Sequence, residues 1–169
     1  EAKKIIRYIK NRGIKILDFT GGEPTIRKDF IELVKYAKGI GFKSLALITN
    51  GIVLSKKDYA EKLLDAGIDD FLFSLHGATK DSHDRMTCFD GSFDLMLKAI
   101  ENVKELSIGR KVKLRSNTVV CGANYDRINE SLELLYNLGF DTVNFILFNP
   151  IVEADSSDEE LNVEYSKAA

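Results

Sequence analysis

The stretch that decides the fold is Ile14-Lys-Ile-Leu-Asp-Phe-Thr-Gly-Gly-Glu-Pro-Thr-Ile-Arg27. Its apolar first half is typical of a buried β-strand, and the polar turn after it leads toward a helix. Gly21 and Gly22 allow a ligand to approach the backbone closely, and Pro24 fixes φ just before the helix. Glu23 is expected near a helix N-terminus, whose partial positive charge favours the ionised carboxylate. Two interpretations stay open: a tight βα turn capped by Glu23, or a carboxylate and backbone acceptors that bind a ligand ammonium group.

The same order of elements occurs five times along the chain. A helical stretch ends at a glycine, a short apolar strand follows, and the strand runs into a polar loop. The glycines are Gly13, Gly41, Gly67, Gly109 and Gly139. The predicted strands are Ile14–Phe19, Lys43–Ile48, Asp70–Leu75, Val112–Val120 and Thr142–Phe148. Strands that alternate with helices predict parallel βα units in one α/β domain over residues 1–169.

Apolar residues at helical spacing predict which helix faces are buried. The predicted stripes are Phe30, Leu33, Val34 and Ala37; Met96, Ile100 and Val103; and Ile128, Leu132 and Leu135. Ser92 is predicted to be the N-cap of the second of these helices, and Ser55 with Asp58 to form a capping box. We expect His83 and Asp84 to form a hydrogen-bonded pair in a loop.

Composition and charge exclude several classes of protein. The 169 residues include 24 Lys and Arg against 26 Asp and Glu, a net charge of −2 that gives no electrostatic case for nucleic acid or an anionic membrane. No apolar run approaches the roughly 20 residues needed to span a bilayer. With no secretory signal pattern and only two cysteines, the sequence favours a reducing cytoplasm.

Polar residues collect toward the carboxyl ends of the predicted strands, where α/β proteins bind ligands, and the fourth strand itself carries Asn117 and Thr118. They include Thr20–Thr25, Thr49–Gly51, Ser74–Gly77, Asn117–Thr118 and Asn149–Pro150. Polar residues from five strand ends around one mouth favour a barrel, although the spacing alone leaves an open sheet as an alternative.

Three ordered segments together resemble the radical S-adenosylmethionine enzymes, most strongly the branch around the molybdopterin- and peptide-modifying members. They are Phe19-Thr-Gly-Gly-Glu-Pro-Thr-Ile-Arg27, Ile48-Thr-Asn-Gly51, and Ser74-Leu-His-Gly77 with His83-Asp84 and Gly91-Ser92-Phe93 downstream. The resemblance covers essentially the whole chain. It implies a partial (β/α)6 TIM-like barrel, of which this chain supplies strands two to six.

The resemblance also implies a cofactor site. Gly21, Gly22 and Glu23, in one loop with Pro24, would hold the methionine amino group of S-adenosylmethionine. Ser74 and His76 would lie near its ribose or carboxylate. Asn50 and Asn117 would line the same mouth, and apolar residues of the last strands would pack against the adenine.

The family's 4Fe–4S cluster needs three thiolates in a CxxxCxxC loop. This chain has only Cys88 and Cys121, which are far apart in sequence, so no metal ligand is assigned within it. The chain begins with Glu1, already in a predicted helix, and another helix is predicted from Ser156 on. We therefore expect a fragment truncated at both ends, with its cluster ligands in a segment upstream, and no activity from this chain alone.

By the resemblance, the intact protein is an enzyme that reductively cleaves S-adenosylmethionine to a 5′-deoxyadenosyl radical, which removes hydrogen from a small-molecule or peptide substrate. Its electron donor would be a flavodoxin or ferredoxin. One alternative is a relative without a cluster that only binds a ligand. Another is a barrel lyase or aldolase that uses Glu23 or His76 as acid or base, which would need a lysine or metal ligands that the strand ends do not supply.

Overall fold

The computed structural model describes residues 1–148. The strand-end residues Asn149–Pro150 and the helix predicted from Ser156 lie outside this range. Within it, helices and strands alternate, except that two helices lie between the third and the fourth strand. The helices are α1 (Ala2–Asn11), α2 (Phe30–Gly39), α3 (Lys57–Ala66), α4 (Lys80–Thr87), α5 (Ser92–Leu106) and α6 (Ile128–Asn137). The strands are β1 (Ile16–Phe19), β2 (Ser44–Thr49), β3 (Asp70–Ser74), β4 (Lys113–Val120) and β5 (Thr142–Leu147).

The five strands form one parallel sheet in the order β1-β2-β3-β4-β5. Each strand therefore pairs with the next one along the chain, and the order never reverses. A doubly wound open sheet binds its ligand where the order reverses, so this topology excludes that alternative. The sequential order is that of an arc of a (β/α) barrel, as the resemblance predicted.

The core lies between the sheet and the helices. Leu45, Leu47, Phe71 and Phe73 are fully buried and belong to one apolar cluster with residues of α2, α3 and α5. Because side chains alternate along a strand, the residues between them point to the opposite face of the sheet. The predicted apolar stripes of α2 and α5 are confirmed as part of this cluster, and all five predicted glycine terminators have positive φ.

Four local predictions are wrong: one in α6, one at the start of α3, one in α4 and one at the start of α5. In α6, Leu132 is 42% exposed, and the buried face is formed by Ser131 and Leu135. Ser55 does not cap α3; its hydroxyl donates to the Ile52 carbonyl at the end of a short 3-10 helix, and α3 begins at Lys57 after Lys56. Both errors come from placing the helix by its local pattern, without the tertiary contacts that set its rotation and start.

The third correction concerns α4, the insertion before β4. His83 and Asp84 lie on this helix and not in a loop, and they do not bond to each other. Asp84 instead accepts hydrogen bonds from Gly91 N (2.7 Å), Phe93 N (2.8 Å) and Ser92 Oγ (2.8 Å) at the start of α5. Ser92 is therefore the first residue of α5 after the N-cap Gly91, and a carboxylate from the preceding helix does the capping.

Candidate functional site

The parallel register brings the predicted site residues to one edge of the sheet. Phe19 pairs with Leu47, Thr49 with Phe73, and Ser74 with Asn117, so the carboxyl ends of β1 to β4 meet there. The residues predicted for the cofactor site follow or end these strands, except Asn117, which lies within β4 in register with the last residue of β3. They are Gly21, Gly22, Glu23, Pro24, Asn50, Ser74, His76 and Asn117.

Glu23 is held by four donors from two strand ends. Its Oε1 accepts from Thr25 N (3.0 Å), Thr25 Oγ1 (2.6 Å) and Thr49 Oγ1 (3.0 Å), and its Oε2 accepts from Asn50 N (2.8 Å). Glu23 is thus the N-cap of a short 3-10 helix, Pro24–Ile26, and its carboxylate also accepts hydrogen bonds from the residues at the end of β2. None of these four donors carries a positive charge. The capping interpretation is confirmed, because Oε1 accepts from Thr25 N, and Oε2 accepts a single hydrogen bond within residues 1–148.

A part-buried tyrosine supports the same loop. The Tyr59 hydroxyl donates to the Thr25 carbonyl (3.0 Å). Burial, and after it the negative charge of Glu23, raises the pKa of Tyr59 above its ordinary value. Tyr59 therefore stays neutral beside the carboxylate. Sequence reasoning missed this residue because it lies on α3, far along the chain from the turn.

The glycine pair leaves open space at the backbone. Gly21 has φ +127°, a conformation that L side chains rarely adopt, and both Gly21 and Gly22 are exposed. A Cβ added at Gly22 would meet no atom within 4 Å. No packing contact therefore requires a glycine at position 22, and a ligand can approach the peptide groups here without a side chain in its way.

Asn50 and Asn117 have part of their hydrogen-bonding capacity in use. Asn50 Oδ1 accepts from Ile52 N (3.1 Å), which forms the turn after β2. Asn117 Oδ1 accepts from Asn144 Nδ2 (3.0 Å), and the two residues pair in register. Ser74, Asn117 and Asn144 thus form a polar row across β3, β4 and β5. Asn144 was not predicted; its position in the last strand, in register with Asn117, is the signal that could have found it.

His76 follows β3 and is part-buried. Its backbone N–H donates to His83 Nδ1 (3.1 Å), its Nδ1 accepts from Val119 N (3.2 Å), and its carbonyl accepts from Asn124 Nδ2 (2.9 Å). Burial lowers the pKa of His76, and burial together with the nearby His76 lowers that of His83 to about 4. Both rings are therefore neutral at pH 7.

The described residues do not fit an iron–sulfur cluster. Residues 1–148 contain no group of three or more His, Cys, Asp or Glu side chains able to hold a metal ion. Cys88 is exposed, and Cys121 is buried with its Sγ 3.5 Å from Met86 Sδ; neither cysteine forms a disulfide within residues 1–148. None of the helices that the structure describes is both long and apolar enough to cross a membrane.

Comparisons with known proteins agree with the fold described above. The family model of the Radical SAM superfamily matches residues 1–135. A probable GTP 3′,8-cyclase of Saccharolobus islandicus is 33% identical over 147 residues, which are 87% of this chain and 46% of that protein. An AdoMet-dependent heme synthase of Methanosarcina barkeri is 30% identical over 167 residues, 99% of this chain and 46% of that protein. The chain thus spans about half the length of these curated relatives.

Solved structures show the same fold. Native anSMEcpe, determined with bound AdoMet and a Kp18Cys peptide, superposes with a TM-score of 0.78 at 21% identity, over 99% of this chain and 48% of that one. SuiB of Streptococcus suis bound to S-adenosylmethionine gives 0.73 at 21% identity, over 88% of this chain and 33% of that one. The family match, the curated relatives and the barrel arc agree, and we conclude that this chain belongs to the radical SAM superfamily, whose members use S-adenosylmethionine and a 4Fe–4S cluster.

Proposed function

We propose that this chain is the S-adenosylmethionine-binding part of a radical SAM enzyme. The observation that supports the proposal is the fixed Glu23 carboxylate beside the open backbone of Gly21 and Gly22. When bound in an enzyme of this superfamily, S-adenosylmethionine supplies an adenosyl radical that removes a hydrogen atom from the substrate. The work of this chain is to bind and orient that cofactor.

Glu23 is suited to the cofactor's ammonium group because four donors fix its carboxylate before any ligand arrives. Oε2 accepts a single hydrogen bond within residues 1–148, and a carboxylate oxygen has capacity for another. Charge-assisted hydrogen bonds of this kind contribute roughly 1.5–3 kcal/mol. Carbonyls of Gly21 and Gly22 would accept the remaining N–H groups, with Pro24 shaping the loop.

The other predicted residues would bind the polar groups around the methionine. Ser74 and His76 would donate to the ribose or carboxylate oxygens, and Asn50 and Asn117 would line the same mouth. The part-buried positions of Asn50, His76 and Asn117 support this assignment, because hydrogen bonds to their side chains limit how these can turn. Oriented donors lose less entropy when a ligand binds.

The 4Fe–4S cluster would be held by thiolates outside the described residues, since Cys88 and Cys121 cannot supply three ligands. For the whole protein we propose a cytoplasmic enzyme that receives electrons from a flavodoxin or ferredoxin. A small-molecule or peptide substrate is supported by the names of the relatives, which include a GTP cyclase and a heme synthase, and by the peptide bound to anSMEcpe.

Calorimetric titration of the chain with S-adenosylmethionine tests the binding proposal. Gly22→Ala is the sharpest variant, because its new Cβ meets no protein atom but would occupy the space assigned to the cofactor. We expect wild-type stability and a loss of binding. Gly39→Ala is the matched control, since Gly39 at the end of α2 also has open space around it. Equal affinity in Gly22→Ala and the wild type would refute the assignment of this loop.

A binding module without a cluster is the second candidate, favoured by the lack of a metal-ligand group in residues 1–148. Both candidates predict cofactor binding, so iron decides between them. Anaerobic reconstitution of the full-length polypeptide that carries this domain should give a brown, iron-containing protein if it is an enzyme. A colourless product without iron would support the binding module.

A further inference from the structure

Three residues at the carboxyl edge close a ring of hydrogen bonds. Asn124 Nδ2 donates to the carbonyls of His76 (2.9 Å) and Val119 (2.8 Å), and Val119 N donates back to His76 Nδ1 (3.2 Å). The Asn124 Oδ1 accepts from Cys121 N (2.8 Å), so both donors and the acceptor of this side chain are in use. Asn124 is only 5% exposed, and it ties the end of β3 to the end of β4.

A second histidine completes the arrangement from the other side. His83 Nδ1 accepts from the backbone N–H of His76 (3.1 Å), and the two rings stack with centroids 6.0 Å apart at 18°. His83 is 1% exposed, and its ring also lies beside Phe93, at 5.9 Å between centroids. The backbone N–H, the carbonyl and one ring nitrogen of His76 are therefore all bonded.

These bonds determine the tautomer of His76. A backbone N–H can only donate, so the ring nitrogen opposite Val119 N must carry a lone pair and no hydrogen. In a neutral imidazole the hydrogen then resides on the other nitrogen, Nε2. Residues 1–148 give His76 Nε2 no hydrogen-bond partner, so the network leaves one directed N–H donor beside the proposed cofactor site.

We infer that Asn124 and His83 are positioning residues that hold His76 as an Nε2–H donor for an oxygen of the bound cofactor. The nature of the ligand rests on the proposed function, whereas the fixed tautomer rests on the hydrogen bonds alone. Neither residue touches the cofactor in this arrangement; each acts through His76. The same logic applies where an outer group fixes the tautomer of a functional histidine in other proteins.

Ring nitrogens can be observed directly in ¹⁵N-labelled protein, and this chain contains only two histidines. Long-range ¹H–¹⁵N correlation spectra at pH 7 distinguish protonated from unprotonated nitrogens. For the wild type we expect His76 in a single tautomer with hydrogen on Nε2. A wild-type spectrum with hydrogen on Nδ1, or with both tautomers, would overturn the inference.

Two variants test the positioning residues. Asn124→Asp keeps the acceptor for Cys121 N but loses both donors, and His83→Phe removes the acceptor for His76 N while keeping an aromatic ring. We expect both tautomers of His76 in each variant, and a dissociation constant for S-adenosylmethionine that rises by roughly tenfold, as for one lost hydrogen bond. A single Nε2–H tautomer in both variants would overturn the inference.

Two controls separate positioning from general loss of structure. His83→Asn places an amide oxygen close to the position of the imidazole Nδ1, so it should restore the wild-type spectrum and affinity. Ile100→Val removes one methylene group from the fully buried α5 face, so it lowers stability without touching the network. If Asn124→Asp does not fold, the wild-type spectrum and the two variants His83→Phe and His83→Asn still test the inference. A changed tautomer with unchanged affinity would support the positioning role and refute the role of His76 in cofactor binding.

Discussion

Replacing Glu23 by Gln tests whether the site is preformed, without any ligand. Glu23 accepts from two backbone N–H groups, those of Thr25 and Asn50, and from two threonine hydroxyls. A glutamine has one oxygen and one NH₂ group. Whichever way the amide is turned, its NH₂ faces one of the two backbone N–H groups, which then has no acceptor.

The expected cost follows from this count. An unsatisfied backbone donor costs about 1–3 kcal/mol, and the remaining bonds lose the assistance of the charge. Because Glu23 is only part-buried, water can solvate some of these groups, and we expect a loss in the middle of this range, about 2 kcal/mol. Urea slopes of about 1–3 kcal/mol/M convert this loss into a midpoint lower by roughly 1 M.

Urea denaturation at pH 7, followed by far-ultraviolet circular dichroism, measures the effect. Glu32→Gln is the control, because Glu32 is an exposed glutamate whose carboxylate lies 3.8 Å from Lys3 Nζ. It should shift the midpoint very little, since exposed ion pairs contribute about 0–1 kcal/mol. If Glu23→Gln is as stable as Glu32→Gln, the carboxylate does not hold the turn and the argument for a preformed site fails.

Four further variants test other contacts. Gly77→Ala should lower stability by about 1–3 kcal/mol in thermal denaturation, because its Cβ would lie 2.7 Å from the backbone nitrogen of His83; an unchanged melting temperature would contradict this close approach. Burial opposes the charge of Asp84, but hydrogen bonds from the start of α5 hold the pKa of its carboxyl below the ordinary value. In urea titrations, Asp84→Asn should therefore be less stable than the wild type at pH 7. The two proteins should approach the same stability below about pH 4, where the wild-type carboxylate is lost. The pKa of His83 is about 4 in the folded protein, below its value in the unfolded chain. The contribution of neutral His83 to the free energy of unfolding is therefore fully present above about pH 6.5 and is lost as the pH falls toward 4. His83→Phe should lose less free energy of unfolding than the wild type between these two pH values. Within residues 1–148, β1 pairs with β2 alone, so β1 is an edge strand at which two copies of the chain could associate, and Ile16 on it is 59% exposed. Ile16→Lys should therefore reduce self-association measured by sedimentation velocity. Equal association of variant and wild type would rule out the β1 edge as the contact.

Local sequence signals were sufficient to predict the βα units. A glycine that ends a helix and an apolar run after it are both short-range features, and the five predicted strands differ from the observed ones by at most two residues at either end. Helix rotation was less predictable: Leu132 fits the apolar period of α6 yet is exposed, because the side of α6 that carries Leu135 packs into the core. Long-range packing overrides the local period there.

The candidate site divides in the same way. The turn at Gly21–Glu23 could be predicted, because the residues that shape it are consecutive. The hydrogen bonds that hold His76 could not be predicted, because His83, Val119 and Asn124 come together only through the fold. The His76–Asn124 bond joins residues 48 positions apart. Asp84 is similar, since an acceptor for the start of α5 comes from the helix before it. Contacts of this kind leave no periodic pattern in the sequence.

The two halves of the expected chemistry therefore have different physical requirements in this chain. Cofactor recognition needs a carboxylate, open backbone and directed donors, and the ends of β1 to β4 supply all three within residues 1–148. Cluster binding needs three clustered thiolates, and the two cysteines here are free, one exposed and one buried. Recognition of S-adenosylmethionine should consequently be measurable without iron, at reduced affinity, whereas its cleavage should depend on ligands that these residues do not provide. Binding by the chain without any cleavage is the result that this division of roles predicts, and cleavage by the chain alone would contradict it.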